Sequence, residues 1–152
     1  MLNNLNLEIQ ELLHKFMLSF DNKDFSIMKD CLCEEVYLDY SSFRGDLPAK
    51  QTSSAYCENR QESLANLVTQ HNLLNLLIKI NDDNLTAKVN CNFIIYRFLK
   101  EYQGSRDDFF HSYGQYEFKL ICENNKWLIA SIIQKITMND GNKNIHKGIK
   151  QL

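Results

Sequence analysis

The stretch TQHNLLNLLIKINDDNLTAKVNCNFIIYRFLK, residues 69–100, decides the fold class. Two long runs rich in Ile, Leu, Val and aromatics, Thr69 to Ile80 and Thr86 to Lys100, flank the polar word Asn81-Asp82-Asp83-Asn84. That pattern predicts two strands joined by a hairpin loop. Strict alternation along the first run places His71, Leu73, Asn75 and Leu77 on one face. Gln70, Asn72, Leu74, Leu76, Ile78 and Ile80 fall on the other. Two more runs follow, Phe110 to Cys122 and Lys126 to Met138, separated by Glu123-Asn124-Asn125. The second half of the chain therefore reads as a meander of long strands.

Upstream the period changes. Leu5, Ile9, Leu12, Leu13, Phe16, Met17 and Phe20 recur at steps of three and four, predicting an amphipathic helix from Leu5 to Phe20. Asp24 is placed to cap a short second helix, Phe25 to Cys33. Glu35 to Phe43 reads as a strand, Arg44-Gly45-Asp46 as a turn, and Ala49 to Leu67 as a helix with Ala55, Leu64 and Leu67 toward the core. Past Asp140 there is no acid, and we expect residues 143–152 to be a frayed tail on a single domain, residues 1–142. Helices followed by a strand meander predict an α+β cone, in which helices cover the concave face of a curved antiparallel sheet. The open mouth of such a cone is where a ligand would sit.

Composition narrows the function. Lys plus Arg number 17 against 19 Asp plus Glu, a net charge of −2, without the basic surplus of a nucleic-acid binder. No apolar run approaches the roughly 18 residues of a membrane helix, and Met1 to Gln10 lacks the pattern of a signal peptide, so a cytoplasmic location is expected. The five cysteines are scattered apart from Cys31 and Cys33, and no zinc-ligand spacing occurs, so buried reduced thiols are expected and no metal. The glycines are too dispersed for a phosphate loop, and no serine sits in a nucleophile elbow.

Several local words carry a resemblance. They are Ser19-Phe20-Asp21-Asn22-Lys23-Asp24-Phe25, Leu38-Asp39-Tyr40-Ser41-Ser42-Phe43, Thr69-Gln70-His71, Trp127 and Gly141-Asn142. In order and spacing the chain resembles the SnoaL-like branch of the nuclear transport factor 2-like superfamily over about residues 5 to 142, and within it the scytalone dehydratase family. The resemblance implies an acid/base histidine at His71, an aspartate orienting it at Asp21, and a tyrosine at Tyr40 that holds a water against a substrate carbonyl. It also implies departures: Phe20 replaces a second tyrosine, Ile95 a second histidine and Tyr116 an asparagine.

Two readings follow. In the first, the protein is a cofactor-independent dehydratase or isomerase of a small, apolar, oxygenated molecule. His71, Asp21 and Tyr40 would be catalytic, and Phe20, Asn75, Phe93, Ile95, Tyr116 and Phe118 would line the pocket. Histidine suits the task because its ordinary pKa lies near neutrality. In the second, the same fold is a non-catalytic ligand-binding or protein-interaction module, with His71 a hydrogen-bonded core residue. Whether Asp21 and His71 bond inside an accessible cavity separates the two. The face bearing Leu74, Leu76, Ile78 and Ile80 is too apolar for water, which predicts a homodimer through the outer sheet face. Trp127 is expected to be buried.

Overall fold

A computed structural model describes residues 2–148 and shows helices α1 (Leu2–Asn22), α2 (Phe25–Asp30), α3 (Ser41–Arg44) and α4 (Ser53–Ser63). The strands are β1 (Leu32–Asp39), β2 (Ala49–Thr52), β3 (Leu67–Ile80), β4 (Thr86–Leu99), β5 (Phe110–Glu123) and β6 (Lys126–Gly141). They form one six-stranded sheet in the order β2-β1-β6-β5-β4-β3. Every neighbouring pair is antiparallel except β1 with β6, which is parallel, so the sheet is mixed rather than wholly antiparallel. Register shifts in the β1–β6, β3–β4 and β5–β6 pairs bend the long strands into a curved, unclosed sheet. This is the α+β cone expected of the sequence. No helix among the described residues is long and apolar enough to cross a membrane.

The helix α1 buries the periodic face read from sequence: Ile9, Leu12, Leu13, Phe16, Met17 and Phe20 all lie in the core. Its end is built by backbone geometry. Lys23 takes a left-handed φ of 57°, the Asp24 amide donates to the Ser19 carbonyl, and the Lys23 amide donates to that of Phe20. This closure fixes Asp21 in the last helical turn. The Asp24 side chain then caps α2 by accepting from the Ile27 amide at 3.0 Å.

Five features differ from expectation. The second helix stops at Asp30, and the first strand starts at Leu32 rather than Glu35. The chain after Tyr40 makes one helical turn, α3, instead of continuing as strand. The helix expected from Ala49 begins only at Ser53, because Thr52 caps it through the Ala55 amide, and Ala49 to Thr52 pair with β1 instead. The segment from Lys143 to Gly148 does not fray: it forms a 3-10 turn at Lys143–Ile145 and buries His146, and only residues 149–152 of the expected tail lie outside the described residues.

The largest correction lies in β3. One extra residue sits between the pairs Leu74–Asn92 and Leu77–Asn90, and Asn75 adopts a φ of 57°. Asparagine enters this left-handed region more readily than most residues. The bulge exchanges the two faces beyond it. Leu76, Ile78 and Ile80 pack against the core, while Leu77 and Leu74 face outward. The four-residue outer stripe read from strict alternation therefore does not exist. Gly114, opposite another register shift, has no room for a side chain: a Cβ would collide with the Lys135 carbonyl oxygen. Trp127 is buried in the core, as expected. The five cysteines are all free thiols, and burial pushes Cys31 up to about 11 and Cys91 up to about 12.

Candidate active site

Asp21 and His71 meet although 50 residues separate them. The strand β3 is an edge of the sheet, so alternate amides point away from any partner strand. Asp21 supplies the missing acceptor: the His71 amide donates to its Oδ2 at 2.9 Å and its Oδ1 at 3.1 Å. Its Oδ1 also accepts from the Thr69 hydroxyl at 2.9 Å, which in turn accepts from Lys23 Nζ at 3.3 Å. The remaining contact is 2.7 Å between Oδ1 and His71 Nδ1.

The side chains of this pair are 5% exposed for His71 and 14% for Asp21. Phe20 stacks on the imidazole with ring centroids 4.6 Å apart. Burial pushes the His71 pKa below its ordinary value; bonding to Asp21 acts against that, and the Arg97 charge adds to it. The ring is therefore neutral at neutral pH. The carboxylate can only accept, so the ring proton sits on Nδ1 and Nε2 carries the lone pair. Nε2 has no hydrogen-bond partner among the described residues.

His71 lines a small cavity of about 30 Å³ together with Phe20, Tyr40, Leu64, Ile95 and Tyr116. Of the residues expected in the pocket, these assemble: Asp21 behind His71, then Phe20, Tyr40, Ile95 and Tyr116. Three do not. Phe93 and Phe118 are buried behind Tyr116, at centroid distances of 4.6 and 5.1 Å, and belong to the core. Asn75 sits exposed on the bulge, away from the cavity. Tyr40 does not stand free: its hydroxyl lies 2.9 Å from that of Tyr56, whose pKa burial pushes well above the usual phenol range. The Tyr116 hydroxyl accepts from Gln134 Nε2 at 2.7 Å, and burial raises its pKa as well.

Sequence reading missed the polar half of the cavity: Arg44, Arg60, Arg97, Gln134 and His146. For Arg97 a signal existed. It falls in phase with Val89, Cys91, Phe93 and Ile95 on the inward face of β4, where a charged residue is anomalous. Arg60 likewise shares the buried face of α4 with Tyr56 and Ser63. His146 had none, lying beyond the last strand. A larger open cleft of about 520 Å³ lies elsewhere, between α1, α2 and the β5–β6 turn, and includes Glu8, Glu11, Lys15 and Trp127 but no histidine. Among the described residues, no three His, Cys, Asp or Glu side chains group as a metal site.

The Kfla4162 protein from Kribbella flavida superposes with a TM-score of 0.85 at 18% identity, covering 92% of this chain and 95% of that one. A protein from Novosphingobium aromaticivorans, provisionally named as a scytalone dehydratase, gives a TM-score of 0.74 at 16% identity over 92% of this chain and 95% of its own. ActVI-ORFA from Streptomyces coelicolor gives 0.70 at 12% identity, covering 88% of this chain and 98% of that one. At these identities the likeness is one of fold. No curated protein sequence matches the chain. Residues 4–133 match the SnoaL-like domain family, and the chain belongs to that family within the nuclear transport factor 2-like superfamily.

Proposed function

We propose that this protein performs acid/base proton transfer on a small molecule, as a dehydratase or isomerase, with His71 as the base. The observation that carries the reading is the geometry of that ring: His71 Nδ1 lies 2.7 Å from Asp21 Oδ1, and the residue lines the cavity, so Asp21 favours a proton on Nδ1 and a lone pair on Nε2. Nε2 takes a proton from carbon beside a carbonyl, and the electron pair moves onto the carbonyl oxygen. The imidazolium formed is stabilised by the Asp21 carboxylate. It then hands its proton to a leaving hydroxyl, completing a dehydration, or to a different carbon, completing an isomerisation. Tyr40 and Tyr56, whose hydroxyls lie 2.9 Å apart, supply a donor for the developing oxyanion directly or through a water.

One observation favours the second reading, a binding module. A cavity of about 30 Å³ holds little more than a water. Catalysis therefore requires the mouth to open, and α3 with the turn carrying His146 are the segments over it. NMR in D₂O with a panel of small β-hydroxy ketones and enones tests the choice. The enzyme reading expects deuterium to enter beside the carbonyl with the wild type and not with His71→Gln. Equal exchange by both proteins, or none by either with bound ligand present, transfers the protein to the binding class. We assign the homodimer to the same reading in revised form: Ile94, Tyr113 and Met138 lie in register across the convex face, with Leu74 nearby, as the apolar surface for a second copy.

A further inference from the structure

The cavity beside His71 is ringed by three arginines, and two of them face no carboxylate among the described residues. Arg97, on β4, is 2% exposed; its Nη1 donates to Ser112 Oγ at 2.8 Å and to the Phe110 carbonyl at 3.4 Å, while its Nε is buried without a partner. Arg60, on α4, is 5% exposed and lies over the rings of Tyr56 at 4.4 Å and Tyr40 at 4.9 Å, with its Nη1 also unpartnered. Arg44, at the end of α3, adds a third guanidinium whose charge Asp46 partly offsets.

Among the described residues, no carboxylate forms an ion pair with Arg60 or Arg97. The phenols facing them are not anions, because burial raises the pKa of both Tyr56 and Tyr116. A buried charge left without a counter-ion is costly, and contact with aromatic faces offsets that cost only in part. Two such charges converging on one cavity are therefore an arrangement waiting for a counter-ion. Burial, with repulsion from Arg60, pushes Arg44 and Arg97 down to about 10, whereas Tyr56 and Tyr40, which face and hydrogen-bond Arg60, hold its pKa above the ordinary value; all three are charged at neutral pH.

We propose that the cavity binds the carboxylate of a small organic acid, held by Arg97 and Arg60 with Arg44 at the mouth. This rests on the acid/base reading for its consequence, since it names the substrate class that His71 would act upon. The empty space fits a carboxylate and not an aromatic ring. The body of the acid would displace the cover formed by Phe43 and His146, whose rings meet edge-on at 5.2 Å. The apolar residues Phe20, Leu64 and Ile95 suit that body. Gln134 Oε1, buried and without a partner, is free to accept from a hydroxyl on it. Because the Arg97 charge helps hold down the pKa values of His71 and His146, a bound carboxylate raises both.

The test is calorimetric titration of the full chain with benzoate, cinnamate and 3-hydroxybutyrate, each beside its neutral carboxamide. It is repeated with chloride and inorganic phosphate, and NMR follows the imidazole titrations of His71 and His146. We expect at least one acid to bind about tenfold or more tightly than its amide. That acid should raise the His71 pKa, and Arg97→Gln should lose the preference while Arg97→Lys keeps part of it. Should Arg97→Gln fail to fold, the acid-to-amide comparison on the wild type still decides. Equal binding of acid and amide overturns the proposal. So does equal binding of chloride or phosphate, or no binding by any acid below about 10 mM. An acid preference that persists in His71→Gln while proton exchange is absent from the wild type upholds the carboxylate site and sinks only the acid/base reading.

Discussion

Replacing Asp21 by asparagine changes one charge and one donor pattern at the junction of α1 and β3. The carboxylate accepts from three donors: the His71 amide, His71 Nδ1 and the Thr69 hydroxyl. Hydrogen bonds to a charged acceptor contribute about 1.5–3 kcal/mol each and neutral ones about 0.5–1.5, so the exchange removes roughly 1 kcal/mol per donor. To keep accepting from the His71 amide at the Oδ2 position, the asparagine must turn its NH₂ toward Nδ1, which moves the ring proton to Nε2. We therefore expect Asp21→Asn to fold, to lose about 2–4 kcal/mol in urea titration, and to present Nε2 to the cavity as a donor instead of a base. Any proton exchange catalysed by the wild type should fall by orders of magnitude, as when the wrong tautomer is fixed in other His–Asp pairs. A stability change below about 0.5 kcal/mol, or undiminished exchange, would refute the reasoning.

Trp127 is 4% exposed, so Trp127→Ala should cost about 3–5 kcal/mol. Its indole N–H is buried without a partner, so Trp127→Phe should cost under about 1.5 kcal/mol; equal losses from both, by urea titration, would contradict this. His146 responds to acid: burial first, then the charges of Arg97, Arg44 and Arg60, push its pKa from 6.5 down to about 2. Its docking thus contributes stability that is complete above its unfolded pKa and lost as pH falls toward the folded one. Burial of His146 with Ile145 is worth about 2–3 kcal/mol, or about two pH units, so the turn should undock near pH ~4.5–5. The His146 Cε1–H resonance reports this, and a turn still docked at pH ~4 would refute it. Sedimentation at micromolar concentration should show a dimer that Tyr113→Lys dissociates; a wild-type monomer contradicts the revised convex interface.

How much was legible in the sequence follows from where the physics is local. The helix α1 and the long strands announced themselves because their periods persist over many residues. The words around Asp21, Tyr40 and His71 carried the acid/base half of the cavity, together with Phe20, Ile95 and Tyr116. Alternation failed at Asn75, where one inserted residue with a positive φ exchanges the faces. That asparagine in an apolar strand was itself the cue. The strand β2 was illegible because every residue in it is exposed and its only reason to be extended is β1. The arginines escaped for a different reason. Arg44 and Arg60 look like ordinary surface charges, and the anomaly of Arg97 on the inward face of β4 gains meaning only when tertiary structure places Arg60 and Arg97 over the same cavity as His146.

The base at His71 depends on where one ring proton sits. Nitrogen-15 NMR of the histidine rings locates it directly, by distinguishing a protonated from an unprotonated ring nitrogen at His71. We expect a neutral ring at neutral pH, protonated at Nδ1 and bare at Nε2, that takes up its second proton only below the ordinary value of 6.5. A His71 that is already imidazolium at neutral pH, or that carries its proton on Nε2, would contradict the claim that Asp21 holds this ring ready as a base.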